Sequence, residues 1–185
     1  MAKVHDNLVV QGISGSLGDQ VVFKHYSDGR TILSKKPTFP ADRVFTEKQQ
    51  DHQSGFKEAA AYAKRAARTE AIYAEIASGT SKTAYNVALA DWFRPPEIGA
   101  IDLSGWTGQA GESIRVKAVD DVRVTRVMVV ISDEAGVAIE QGAAVQVDDL
   151  WWVYTTTQAV PGHTRVIAAA QDLPGNIGQG MASRP

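Results

Sequence analysis

The sequence contains no cysteine. Disulfides, thiolate metal sites and cysteine nucleophiles are therefore excluded. No stretch approaches the roughly 20 apolar residues that a membrane-spanning helix needs. The opening "MAKVHDNLVVQGISG" holds one lysine and only the short apolar run LVV, so it lacks the long apolar centre of a signal peptide. Synthesis in the cytoplasm is expected, with release or display outside the cell by another route as the alternative. Strong charge of one sign is missing too. Nineteen Lys+Arg against 21 Asp+Glu give a formal net charge of −2, which sets up no global attraction to nucleic acid or membrane. Histidine is scarce. His5, His25, His52 and His163 contain no pair at the i, i+4 spacing of a helical zinc site. His25 fits cross-strand packing and His52 a solvated helix face.

What is present fits a folded chain. The 185 residues are 44% hydrophobic and 22% charged, ordinary values for a globular protein. The charge is unevenly distributed. Residues through Tyr85 carry 12 Lys+Arg and 9 Asp+Glu, and those from Asn86 carry 7 and 12. Halves of opposite sign could meet head to tail between copies.

The stretch "GISGSLGDQVVF" (12–23) has glycine at 12, 15 and 18. A dinucleotide fingerprint reads G-x-G-x-x-G and opens a helix, so that helix N–H groups hold the pyrophosphate. Here the spacing is G-x-x-G-x-x-G and a strand-like run follows. A P-loop needs G-x-x-x-x-G-K-[ST], and "SGTSKT" (78–83) puts Ser81 where glycine is required. A nucleophile elbow, G-x-S-x-G, is missed by one residue. These glycines read as turn or close-packing positions, with Ile13 and Leu17 placed between them to pack.

Along the chain, "DQVVFKHY" and "RTILSKKP" read as strands joined by the hairpin signal Asp28-Gly29, and Leu8–Val10 as a further strand. Lys24, Arg30, Lys35 and Lys36 lie near Phe23 and Tyr26; on a short hairpin they suit a solvated face or a guarded edge better than nucleic acid. "TEKQQDHQSGFKEAAAYAKRAA" opens with a capping box, Thr46 and Gln49, and carries the stripe Phe56, Ala59, Ala60, Ala63, Ala67. A second helix is expected with Thr69 as its cap and Gly79 as its stop, and a third over "SKTAYNVALADWF", ended by Pro95-Pro96.

Past that proline pair the period becomes alternating. "SIRVKAVD" puts Ile114, Val116 and Ala118 inward. "RVTRVMVVIS", "VAIEQG", "AAVQV", "LWWVYTTT" and "TRVIAAAQD" follow, with "DEAG" as a turn. Short strands with frequent turn signals predict an antiparallel β-sandwich. Neighbouring strand residues point to opposite faces, so one of Trp151-Trp152 enters the core and the other faces out or is covered. Trp92-Phe93 and Trp106 stand near the boundary and could line the same seam. The acidic pairs Asp120-Asp121 and Asp148-Asp149 lie at strand ends; they lack the D-x-D-x-D-G calcium loop. Asp172 and Asn176 in "DLPGN" are expected to make a turn.

"VIAAAQDLPGN" (166–176) resembles the last-strand hairpin of bacterial immunoglobulin-like and fibronectin-like modules. "VMVVISDEAGVAIEQG" is similar to their central hairpin, and "WWVYTTT" to their aromatic and threonine strand. The resemblance covers roughly 80 residues and implies a fold, not a role. The first 68 residues resemble bacterial proteins of unknown function that share the glycine-spaced start, the hairpin, a "KP" element and a Gln- and Ala-rich helix. That resemblance implies no activity.

The sequence therefore predicts an α+β chain. Residues 1–96 form an N-terminal β-hairpin plus helices, an assembly segment, and residues 97–185 an immunoglobulin-like sandwich. No catalytic set, cofactor, metal or small-molecule substrate is expected. The expected partner is the chain itself, as a filament, virion or surface-layer subunit, with an interface at Leu8, Val10, Ile13, Leu17, Val22, Tyr26, Trp92, Trp106 and Trp152. The competing expectation is a monomeric binding module whose sandwich recognises a carbohydrate or protein.

Overall fold

A computed structural model of the chain describes residues 2–4, 13–26, 29–40 and 42–184. The chain divides into two compact units, Met1–Gln49 and Gln50–Pro185. The first holds β1 (Ala2–Val4), β2 (Gly15–Leu17), β3 (Val21–His25) and β4 (Thr31–Lys35). They form one antiparallel sheet in the order β1-β4-β3-β2. The hairpin expected at Asp28-Gly29 joins β3 to β4, with Gly29 at φ 83°; Asp28 itself is outside the described residues. The glycine-spaced stretch is also a hairpin. Gly18, at φ 58°, turns β2 into β3, a left-handed conformation that disfavours a Cβ. The strand expected over Leu8–Val10 lies outside the described residues.

The helices are α1 (Glu47–Thr69), α2 (Ala71–Ala77) and α3 (Ala84–Trp92). The capping box is formed in both directions. The Gln49 N–H donates to Thr46 Oγ1 at 3.3 Å, and the Thr46 N–H to Gln49 Oε1 at 3.1 Å. Thr83 caps α3 by accepting from the Asn86 N–H at 3.2 Å. Thr69 does not cap the second helix. It is the last residue of α1, its hydroxyl donates back to the Arg65 carbonyl, and Glu70 takes the cap position without a side-chain bond. The alanine stripe is displaced by part of a turn: Ala59, Ala63 and Ala66 are buried, while Phe56 is exposed. Ala63, Ala66, Tyr73, Ala77, Val87 and Ala88 form a small helical core, against which Val122 and Leu173 of the strand connections pack. Small side chains at these crossings allow close helix approach.

The sandwich follows with β5 (Glu97–Asp102), β6 (Ser113–Val119), β7 (Arg126–Ser132), β8 (Ala138–Ala143), β9 (Val145–Gln146), β10 (Trp151–Thr155), β11 (Thr164–Gln171) and β12 (Ile177–Arg184). One sheet has the order β5-β6-β10-β9 and the other β12-β11-β7-β8, both antiparallel. This is the α+β architecture the sequence predicts. The inward residues are the expected alternation: Ile114, Val116 and Ala118 from β6 meet Val127, Val129, Ile131, Val166, Ala168 and Ala170 from the opposite sheet.

Two strands, β5 and β12, go beyond the sequence reading. β12 is glycine-rich for a steric reason. A Cβ on Gly178 would stand 1.6 Å from the Pro96 carbonyl oxygen, and one on Gly180 2.6 Å from Ile98 Cγ2. The two edge strands thus approach more closely than any side chain would permit. The end of β12 is pinned by Arg184. Its guanidinium donates to the carbonyls of Val160 and Gly162 and lies 4.3 Å over the Trp106 ring.

Candidate assembly surfaces and a buried carboxylate cluster

In the first unit, register places Leu17 opposite Val21 and Phe23 opposite Leu33. Cross-strand partners share a face, so Leu17, Val21, Phe23 and Leu33 make one apolar stripe. Val22, opposite Ser34 and Ser16, lies on the other face. Phe23 is the one apolar side chain buried among this unit's described residues; Ile13, Leu17, Tyr26, Phe39 and Val44 are exposed, Leu17 by 65%. β2, at the sheet edge, presents its outer backbone groups for pairing.

The expected interface set is thus split. Ile13, Leu17 and Tyr26 are on the surface and Val22 is half-buried. Leu8 and Val10 lie outside the described residues. Trp92 is half-buried, its ring 5.1 Å from that of Tyr62. Trp106 and Trp152 are in the sandwich core, 3% and 6% exposed, which takes them off any surface a second copy could reach. The Trp pair does alternate as expected, but with the opposite member outward. Trp151 is the outer residue, and the Arg115 guanidinium stacks on it at 4.7 Å.

A second apolar surface was not anticipated. β8 and β9 are the edge strands of the two sandwich sheets. Ile139 and Val145 on these strands, and Val137, Val147 and Leu150 flanking them, are exposed. Ile139 points out because its neighbour Glu140 points in. The Glu140 carboxylate accepts from the Tyr154 hydroxyl at 2.6 Å, from the Thr157 N–H at 2.6 Å and from the Gln158 N–H at 3.2 Å. Burial alone would raise this carboxyl; the hydrogen bonds outweigh burial and hold it below the ordinary glutamate value. The same pair pushes the Tyr154 hydroxyl up to about 12, through burial and the Glu140 carboxylate.

Where α3 meets the strand connections, three carboxylates converge. Asp91 (end of α3), Asp120 (after β6) and Asp172 (after β11) each place an oxygen within 4.8 Å of the others. Asp172 makes the expected turn: Oδ1 accepts from the Gly175 N–H at 2.8 Å and the Asn176 N–H at 2.6 Å. The Asn176 amide reaches on to the carbonyls of Asp91 and Trp92, tying the turn to the end of α3. Asp120 Oδ2 accepts from the N–H groups of Val122 and Arg123. Asp91 Oδ2 accepts from the Tyr73 hydroxyl, itself 2.6 Å from the Tyr62 hydroxyl. Burial above all pushes the Asp91 carboxyl up to about 6; the Tyr73 bond works against that shift and the charges of Asp120 and Asp172 add to it. Of the acidic positions singled out in the sequence, Asp120 and Asp172 belong to this cluster. Asp121 instead pairs with Arg94, and Asp148 holds the N–H groups of Leu150 and Trp151. Asp91 has no sequence signal beyond a polar residue on a helical face.

No protein-family model and no curated protein matches the chain. Among solved structures, CopC from Methylosinus trichosporium OB3b aligns at 16% identity and TM-score 0.37, covering 48% of this chain and 89% of that one. The tetra-tandem repeat in the extending region of a large adhesion protein aligns at 22% identity and TM-score 0.34, covering 49% of this chain and 23% of that one. The chain therefore spans under a quarter of that adhesion protein structure. Both neighbours are similar to part of this chain. No helix among the described residues is long and apolar enough to cross a membrane.

Proposed function

We propose that the chain is a non-catalytic structural subunit that associates with copies of itself through its N-terminal strands. The observation that carries this reading is the first unit's single sheet, which buries Phe23 and leaves Ile13, Leu17, Tyr26, Phe39 and Val44 in solvent. An isolated sheet of this size lacks the second layer that stabilises a β-fold. A neighbouring copy supplies that layer. The acceptor on the neighbour is the β8–β9 edge, whose exposed valines and leucine sit beside Asp148 and Asp149. Lys24 and Lys35 on the N-terminal strands carry the opposite sign. Two different patches meeting in this way form a heterologous contact, which closes into a ring or extends as a filament. A filament, virion or surface-layer subunit would use either.

The test is sedimentation of the wild-type chain, Leu17→Asp and Val145→Asp, with negative-stain microscopy of the same fractions. Oligomers in the wild type that dissociate in both variants, with thermal unfolding of the sandwich unchanged, are expected. Loss in neither variant overturns the assignment of these surfaces. A wild-type monomer that binds glycans in an array would favour the binding-module reading instead.

A further inference from the structure

We propose that Asp91, Asp120 and Asp172 form a calcium site that clamps α3 onto the end of the sandwich. The donor set is all carboxylate, which selects a hard cation over a transition metal. Each carboxylate places an oxygen within 4.8 Å of the others, close enough for one calcium ion, with bonds of about 2.4 Å, to bridge them. Magnesium gives up its water shell reluctantly and is held less often in an all-protein site.

A cluster of acids on a surface would signify little, but two of these three are buried and Asp120 is half-buried. Asp91 and Asp172 are 1% and 2% exposed. Asp91 Oδ1 and Asp120 Oδ1 are buried and accept no hydrogen bond from the described residues. A buried carboxylate oxygen without a donor has lost water and gained nothing in exchange. Every donor that reaches the three carboxylates goes to an oxygen other than those two: Tyr73 to Asp91 Oδ2, Val122 and Arg123 to Asp120 Oδ2, and Gly175 and Asn176 to Asp172. The second oxygens are held in place by this outer set and left vacant, the way ligating carboxylates are oriented by their own hydrogen bonds. A recess of about 240 Å³ reaches Asp91 and is also lined by Lys82, Arg94 and Asp121. Arg94 is engaged by Asp121 at 2.5 Å, so the guanidinium lining this recess is directed to a carboxylate outside the trio.

The ligands come from three separate places in the chain: a helix end, the β6–β7 connection and the β11–β12 turn. An ion there binds the folded state and not the unfolded chain, and so adds directly to stability.

The experiment is thermal unfolding of the full chain in chelator and in rising calcium, beside Asp120→Asn, together with terbium luminescence excited through the nearby Tyr73 and Tyr62. Calcium in about 100-fold excess over its dissociation constant is expected to raise the wild-type Tm by about 5 °C, with magnesium less effective. Terbium emission is expected to appear and to be displaced by calcium. Asp120→Asn is expected to lose both responses while unfolding in chelator at or above the wild-type temperature, because a like charge has been removed. The proposal is overturned if calcium leaves the wild-type Tm unchanged, or raises both proteins equally. If Asp120→Asn does not fold, the terbium signal of the wild type decides: no sensitised emission overturns the site.

Discussion

The described residues form three four-stranded antiparallel sheets, and they live in different circumstances. Two face each other in the sandwich and bury a continuous set from Trp106 to Ala170. Among the described residues of the third, in the first unit, Phe23 is the buried apolar side chain. Its strands pair antiparallel, as those of the other two do. What the described residues of that unit do not supply is a second sheet to pack on it. Backbone pairing alone therefore does not make a sheet self-sufficient; the apolar face has to be removed from water.

Core and surface substitutions separate the two cases, beginning with the sandwich. Trp152→Ala is expected to cost about 3–5 kcal/mol in denaturant unfolding, because the ring sits between the sheets. A small effect would mean that the sheets do not depend on each other. Gly178→Ala forces a Cβ against the Pro96 carbonyl and should cost about 1–3 kcal/mol, read from the same curves. Gly111→Ala makes a useful contrast: its Cβ would meet nothing within 4 Å, yet its φ of +85° leaves a backbone cost, of about 1 kcal/mol. Thr83→Ala, which removes the α3 cap, should lower stability by about 1 kcal/mol. The smallest effect belongs to the lone sheet. Leu17→Asp should change the unfolding of the sandwich by less than about 0.5 kcal/mol while abolishing association.

Acid sharpens the contrast. Glu140 is ionised in the fold and its carboxyl is held below the ordinary glutamate value. Its stabilisation is therefore present above the unfolded glutamate range and lost as pH falls through the lower folded value. Unfolding followed from pH 6 toward pH 3 should show the wild type losing stability more steeply than Glu140→Gln. Parallel slopes would remove Glu140 from the account.

Much of the fold was legible because local chemistry and global packing agree. Thr46 and Gln49 cap a helix whose face is buried, and the alternation in "SIRVKAVD" is the alternation of the core. Elements escaped where packing overrode a local rule. β12 is rich in glycine, which strands disfavour, because β5 comes too close for side chains. Ile139 and Glu140 exchange their usual faces because Tyr154 and Thr157 wait inside for a carboxylate. Thr69 looked like a cap, but α1 continues through it. The phase of Trp151-Trp152 depends on which residue meets Val116 and which meets Lys117, and register is a property of the pair of strands. Of the carboxylate cluster, two members sit in visible turns. Asp91 joins them across 29 and 81 positions of chain, a distance over which no local pattern carries information.

The central claim is that the unfinished sheet of the first unit is completed by a neighbour. Light scattering behind size exclusion, over a wide range of protein concentration, tests it most directly. The account predicts a mass several times the 19.9 kDa of one chain, falling to one chain in Leu17→Asp. A wild-type mass of 19.9 kDa throughout that range would contradict it.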